Sequence, residues 1–142
     1  MTKPPHPFAL PASLSPELRR VWDYWNSLKR HENKVPFWDD VKLSALSGLE
    51  DRLVLIDVFE SPQRFRLNTV GSQIRGWYGA DLVGKFLDEI EAKGPLEYFI
   101  AQAITTVEAA EPTYFRNGFV RLLLPMWGGG NVSMLLGAIV RP

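Results

Sequence analysis

The stretch FRLNTVGSQIRGWYGADLVG, residues 65–84, decides the fold. It opens in alternation, with Phe65, Leu67 and Thr69 facing one way and Arg66 and Asn68 the other, which is the period of a strand. Gly71 breaks the strand. Ser72 to Tyr78 then reads as a short helix carrying Trp77 and Tyr78, and Asp81 to Ile90 as a second one, reached through Asp81 and Gly84. A strand that gives way to short helices is how a small sheet domain builds a wall over its own concave face. Such a wall encloses either a ligand pocket or a core filled by its own side chains.

Upstream, Arg52 to Glu60 is apolar at nearly every position as far as Asp57, the pattern of a central strand. The turn residues Ser61-Pro62-Gln63 join it to Arg64–Val70 as an antiparallel hairpin. Downstream, Gly94-Pro95 starts a longer helix with Leu96, Phe99, Ile100, Ala103, Ile104 and Val107 on its apolar face, and Glu111-Pro112 ends it. Three strands follow: Thr113–Phe119, with an irregularity at Asn117-Gly118; Val120–Met126; and, after the turn Gly128-Gly129-Gly130-Asn131, Val132–Val140. The expected fold is α+β: a five-stranded antiparallel sheet with helices on one face.

An additional helix precedes this domain. Ser15-Pro16-Glu17 is a good helix start, and Leu18, Val21, Trp22, Trp25 and Leu28 recur at spacings of three and four, which makes one apolar stripe. That stripe either packs on its own domain or, since tryptophan is favoured at interfaces, makes Leu18, Val21, Trp22 and Trp25 the contact surface of a homodimer. The chain thus divides into a proline-rich arm (1–14), this helix with a polar connector (15–34), and the sheet domain (35–142). Phe8, Leu10 and Leu14 are the residues able to pin the arm. Asp39 or Asp40 is placed to cap a short helix over 42–46 that Gly48 ends.

The order of a strand pair, short helices, a longer connecting helix and a closing three-stranded meander resembles a PAS domain. More closely, the chain is similar to a small bacterial family of stand-alone PAS-like proteins that begin with a tryptophan-bearing helix. The residues carrying the resemblance are Tyr24-Trp25, Val35-Pro36 with Asp39 and Asp40, Phe65-Arg66-Leu67 leading to Gly71-Ser72, Gly79-Ala80-Asp81-Leu82-Val83-Gly84, and Leu122-Leu123-Leu124-Pro125. Two departures stand out: Arg30–Lys34 lacks an expected Gly-Arg, and the last turn is Gly-Gly-Gly-Asn rather than Asp-Gly. The resemblance implies a sensory or interaction module rather than a catalyst, binding a small ligand or a protein partner. Its output would pass through a partner or through dimerisation.

Composition narrows the chemistry. The 142 residues carry no cysteine, so disulfides, thiolate metal sites and cysteinyl–flavin adducts are excluded. The two histidines, His6 and His31, lie outside the helical wall, which leaves a haem without an axial ligand there. They also leave no Ser–His–Asp arrangement in the domain body. A flavin held without a covalent cysteine has no positive signature, so the cofactor, if any, is unknown. Net charge is zero and no basic patch accompanies Arg64 and Arg66, which argues against nucleic acid. No apolar run approaches the ~20 residues of a membrane span. The first residues have no apolar leader segment, so a cytoplasmic protein is expected.

The candidate pocket residues are Trp77 and Tyr78 in the wall, Phe86, Leu87, Phe99 and Ala103 on the helices behind it, and Tyr114 on the following strand, offering a hydroxyl. Each of the apolar ones reads equally as core. Arg66 has three readings: a buried cation facing the helices, selecting an anion or paired with Asp57; a guanidinium stacked on Trp22 or Trp25; or one partner of a cross-strand surface pair. An alternative to the sensor is a pure protein-interaction domain with a self-filled core. A more distant one is a cone-shaped isomerase or hydratase using Asp57 as base.

Overall fold

The computed structural model describes residues 7–30 and 32–142. Helix α1 spans Pro16–Ser27, with Pro16 in its first turn and the Ser15 carbonyl accepting the Arg19 N–H at 2.8 Å. Its stripe is turned inward: Leu18, Val21 and Trp25 are each 1% exposed, packed on the chain's own sheet. The Trp25 indole nitrogen donates to the Pro125 carbonyl at 2.8 Å. This corrects the dimer-surface expectation for Leu18, Val21 and Trp25, whose apolar area is already spent within the domain. Only Trp22 of the four stays part-exposed.

Five strands follow: β1 (Leu53–Phe59), β2 (Arg64–Val70), β3 (Thr113–Arg116), β4 (Val120–Gly128) and β5 (Asn131–Val140). They form one sheet in the order β2-β1-β5-β4-β3, and every neighbouring pair is antiparallel. The strands with near-continuous apolar runs, β1, β4 and β5, lie inside, and the alternating β2 lies at an edge, as burial on two faces or one demands. The expected five-stranded antiparallel sheet with helices on one face is thus present, with α1 on the other face. The alternation predicted for β2 is interrupted. Leu55 pairs with Thr69 but Ile56 with Leu67, so Asn68 is an extra residue in a bulge, and Val70 rather than Thr69 joins Phe65 and Leu67 in the core. Strand β3 is shorter than expected because Asn117-Gly118 form a turn, Gly118 at φ +73°, with the Asn117 N–H bonded to the Phe119 carbonyl at 2.8 Å.

Between β2 and β3 runs the wall. Helix α2 (Ser72–Tyr78) is stopped by Gly79 in the left-handed conformation. The expected second helix over 81–90 does not form. Residues 84–85 lie along the free edge of β2, the Leu67 N–H donating to the Lys85 carbonyl at 2.8 Å and the Gly84 N–H to the Leu67 carbonyl at 2.7 Å. A single 3-10 turn over Leu87–Glu89 is what remains. The long helix expected from Gly94 is also divided: one turn at Gly94–Leu96, a break, then α3 (Phe99–Ala109). The wall buries Ile74, Leu82, Leu87, Leu96, Phe99 and Ala103 against Ile56, Leu67, Leu135 and Ile139 of the sheet.

The arm is attached from Phe8 onward: the Phe8 carbonyl accepts the Tyr114 N–H at 2.9 Å, and its ring lies 5.6 Å from that of Phe115. Residues 1–6 of the arm and His31 of the connector lie outside the described residues.

Trp25→Ala removes a fully buried ring and orphans a strand carbonyl, and is expected to cost about 3–5 kcal/mol of stability. Trp22→Ala is expected to cost less than about 2 kcal/mol, because that ring is only partly buried. Urea denaturation of both variants measures the difference.

Candidate functional site

The wall places its aromatic residues as packing elements. The Trp77 ring sits 5.4 Å from Phe119, and the Tyr78 hydroxyl donates to the Glu91 carbonyl at 2.8 Å while Lys93 lies over its ring. Leu87, Phe99 and Ala103 are buried in the core beneath them. At the start of α3 the wall opens into a pocket of about 260 Å³, lined by Leu87, Ile90, Leu96, Tyr98, Phe99 and Ile100 among others. Of the residues the sequence nominated, Leu87 and Phe99 line this pocket; Trp77, Tyr78 and Ala103 pack beside it. Ile90, Leu96, Tyr98 and Ile100 were missed because Gly94-Pro95 reads as the start of one continuous helix. The pocket exists only because the chain breaks between Leu96 and Phe99, where Tyr98 takes φ +58° and projects outward with its ring 5.8 Å from Phe115.

The break is held by a residue that the sequence reading passed over. Arg121, the second residue of β4, is 3% exposed. Its Nη1 donates to the Pro95 carbonyl at 2.9 Å, its Nη2 to the Glu97 carbonyl at 3.0 Å, and its Nε to Gln102 Oε1 at 2.7 Å. The guanidinium lies 4.4 Å from the Phe99 ring centre and 5.3 Å from that of Phe115. Burial pushes its pKa down to about 9, against the opposing pull of the Glu97 charge, so it remains a cation at neutral pH. The network continues inward. Gln102 Nε2 donates to Thr113 Oγ1 at 3.1 Å and to the Arg121 carbonyl at 3.3 Å, and the Thr106 and Thr113 hydroxyls meet at 2.6 Å. The signal for this cluster was present in the sequence as a lone arginine inside the apolar run Val120–Pro125.

Three nominated residues lie elsewhere. Arg66 is on the face opposite the wall, paired with Asp57 across β1 and β2 at 2.8 Å and 41% exposed along its side chain. Asn68 adds a bond to the same carboxylate at 3.2 Å. Arg66 neither enters the pocket nor stacks on Trp22 or Trp25; the ring beneath it is Phe59 at 5.1 Å. Asp57 is thereby engaged by two donors. Phe86 sits outside the core between the Phe59 ring and the Arg64 guanidinium, at 5.6 and 3.8 Å. Arg64 in turn grips Asp88 through two bonds of 2.8 Å, which hold that carboxyl below the usual carboxylate range. Tyr114 faces the α1 side, not the wall.

Among the described residues no group of three or more His, Cys, Asp or Glu side chains is placed to hold a metal ion, and no helix is long and apolar enough to cross a membrane. His6 and His31, which bear on the haem question, lie outside the described residues. Compared with known families and curated proteins, the chain matches no family model and no curated sequence.

Arg121→Ala strands Gln102 Oε1 and the carbonyls of Pro95 and Glu97 without their donor, and is expected to cost about 3–5 kcal/mol. Arg121→Met, which keeps the volume, is expected to cost less and to raise amide hydrogen exchange at 97–100 before the rest of the domain. Arg66→Ala removes a half-exposed pair and is expected to cost under about 1 kcal/mol. Denaturant titration with residue-resolved exchange measures all three.

Proposed function

We propose that this chain is a PAS-type sensory or signalling module, non-catalytic, that takes a small apolar molecule in the pocket at the start of α3 and passes the signal on by contact with a partner or a second copy. The element order is the one the family resemblance implied: strand pair, short helices, connecting helix, three-stranded meander. The observation that carries the reading is the construction of the pocket. Its walls include the apolar side chains Leu87, Ile90, Leu96, Phe99 and Ile100 together with Glu97, and the carbonyls of Glu97 and of Pro95, next to Leu96 in the chain, are bonded to Arg121 near the start of β4. A ligand that displaces the segment 95–97 acts on those two bonds. The occupancy of the site is in this way linked to the strand that also carries α1 on its other face.

A cytoplasmic location accords with this role. Asp57, the base an isomerase or hydratase would need, is already committed to Arg66 and Asn68, which weighs against the enzymatic reading. One observation favours the interaction domain instead. The space between the sheet and α3 is filled by Ile56, Leu67, Ala103, Leu135 and Ile139, all 0% exposed. The two readings therefore differ on whether the pocket outside that core is occupied.

Native mass spectrometry of the freshly purified protein, followed by denaturing measurement, separates them. The expected result is a small adduct lost on denaturation, and its absence from Ala101→Trp, which fills the pocket from an exposed position. An adduct that persists in this variant removes the pocket from the proposal. A protein without any adduct, and with no affinity for a panel of small apolar compounds, leaves the interaction domain as the reading.

A further inference from the structure

A second concavity lies away from the pocket at the start of α3, where α1 faces the corner between α3 and β3. It is a groove of about 540 Å³ whose walls include Leu10, Trp22, Trp25, Lys29, Lys34 and Pro112. Two lysines belong to these walls, and among the described residues neither has an anionic partner. The Lys29 ammonium rests over the Trp25 ring at 4.6 Å and, among the described residues, makes no ion pair. Lys34, exposed, makes none either. The indole nitrogen of Trp22, another lining residue, is shielded from solvent and has no acceptor among the described residues. One carboxylate, Glu111, also borders the groove, which leaves a net charge of +1 from the two lysines and this acid.

We propose that this groove binds a small amphiphilic carboxylate. The apolar body would lie along Leu10, Trp22, Trp25 and Pro112, and the carboxylate would be received by Lys29 and Lys34. A cation parked on an aromatic face is held loosely, and exchanging that contact for a charge-assisted hydrogen bond to a carboxylate is favourable. The apolar walls explain why a bare inorganic anion is the wrong ligand. The lysines explain why an uncharged chain of the same length is a poorer one. The groove shares no lining residue with the pocket at the start of α3, so this inference stands independently of the function proposed above.

The test uses the full chain with octanoate as probe and 1-octanol as its uncharged counterpart, at low salt, read by calorimetry and by the indole N–H signals of the five tryptophans. Octanoate is expected to bind about tenfold or more tightly than octanol, the size of one charge-assisted bond, and to shift the Trp22 indole signal. Lys29→Gln with Lys34→Gln, both surface changes, is expected to abolish that preference while leaving the octanol affinity in place. Three results each overturn the proposal: equal affinity for the two probes, a preference that survives the double variant, or perturbations confined to residues 87–101. The last would place the carboxylate in the first pocket, and leave the function proposed for that pocket standing.

Discussion

The sheet is apolar on both faces, and the rest of the molecule follows from covering them. In β1, Leu53 points to one layer while Val54 and Ile56 point to the other; in β4, Leu122 and Leu124 oppose Leu123; in β5, Leu136 and Ala138 oppose Leu135 and Ile139. A sheet of this kind has no face it can leave to water. The wall between β2 and β3 covers one side. The other side requires α1, which makes that helix part of the fold rather than an attachment to it. The bond from Trp25 to the Pro125 carbonyl ties the helix to β4, and turns its polar residues outward.

Arg121 is a buried charge within that sheet, and its burial has a structural consequence. A guanidinium taken out of water must find oxygen acceptors, because desolvation costs several kcal/mol per ion. It finds two of them in the carbonyls of Pro95 and Glu97. In a continuous helix those carbonyls would accept N–H groups four residues on. Turned instead toward β4, they leave α3 to begin only at Phe99. The divided helix, the outward Tyr98 and the pocket beside Phe99 thus share one cause, an arginine whose charge must be met from the wall.

The sequence made the sheet legible and the wall much less so. The boundaries of β2 are as read, β1 is shorter by one residue at each end, and the α1 stripe contains the three residues buried there. Strands declare themselves by apolar runs and turn residues, which are local properties. The bulge at Asn68 is not local: it exists because Ile56 pairs with Leu67, a partner choice made across the hairpin. The same holds for residues 84–85, where the Gly84 N–H and the Lys85 carbonyl bond to Leu67 at the edge of β2 rather than within a helix of their own. Arg66 shows the limit for side chains. Its partner Asp57 was among the readings, but alternation in an edge strand does not say which face receives the helices. An amphipathic stripe, likewise, looks the same whether it covers its own sheet or another molecule's, and this is why Leu18, Val21 and Trp25 were open to both interpretations.

The two concavities stand in a definite relation to α3. One is lined by its first turn, Phe99 to Ala101, and the other by Ala110 just past its last; at 1.5 Å per residue they are roughly 16 Å apart along the axis. Between them the helix is fastened to β3 and β4 by Gln102 and Thr106, both fully buried. A helix held at its middle by directional bonds moves as a unit, so that a displacement at either end is resisted by the same hydroxyl and amide contacts. Ligands at the two ends would then compete or cooperate only through the position of α3 relative to β4. By linkage, the effect of each on the other's affinity must be equal. The polar cluster of Gln102, Thr106, Thr113 and Arg121 is therefore where such coupling would be set, and an all-apolar interface in its place would cover the sheet equally well while fixing the helix in no particular register.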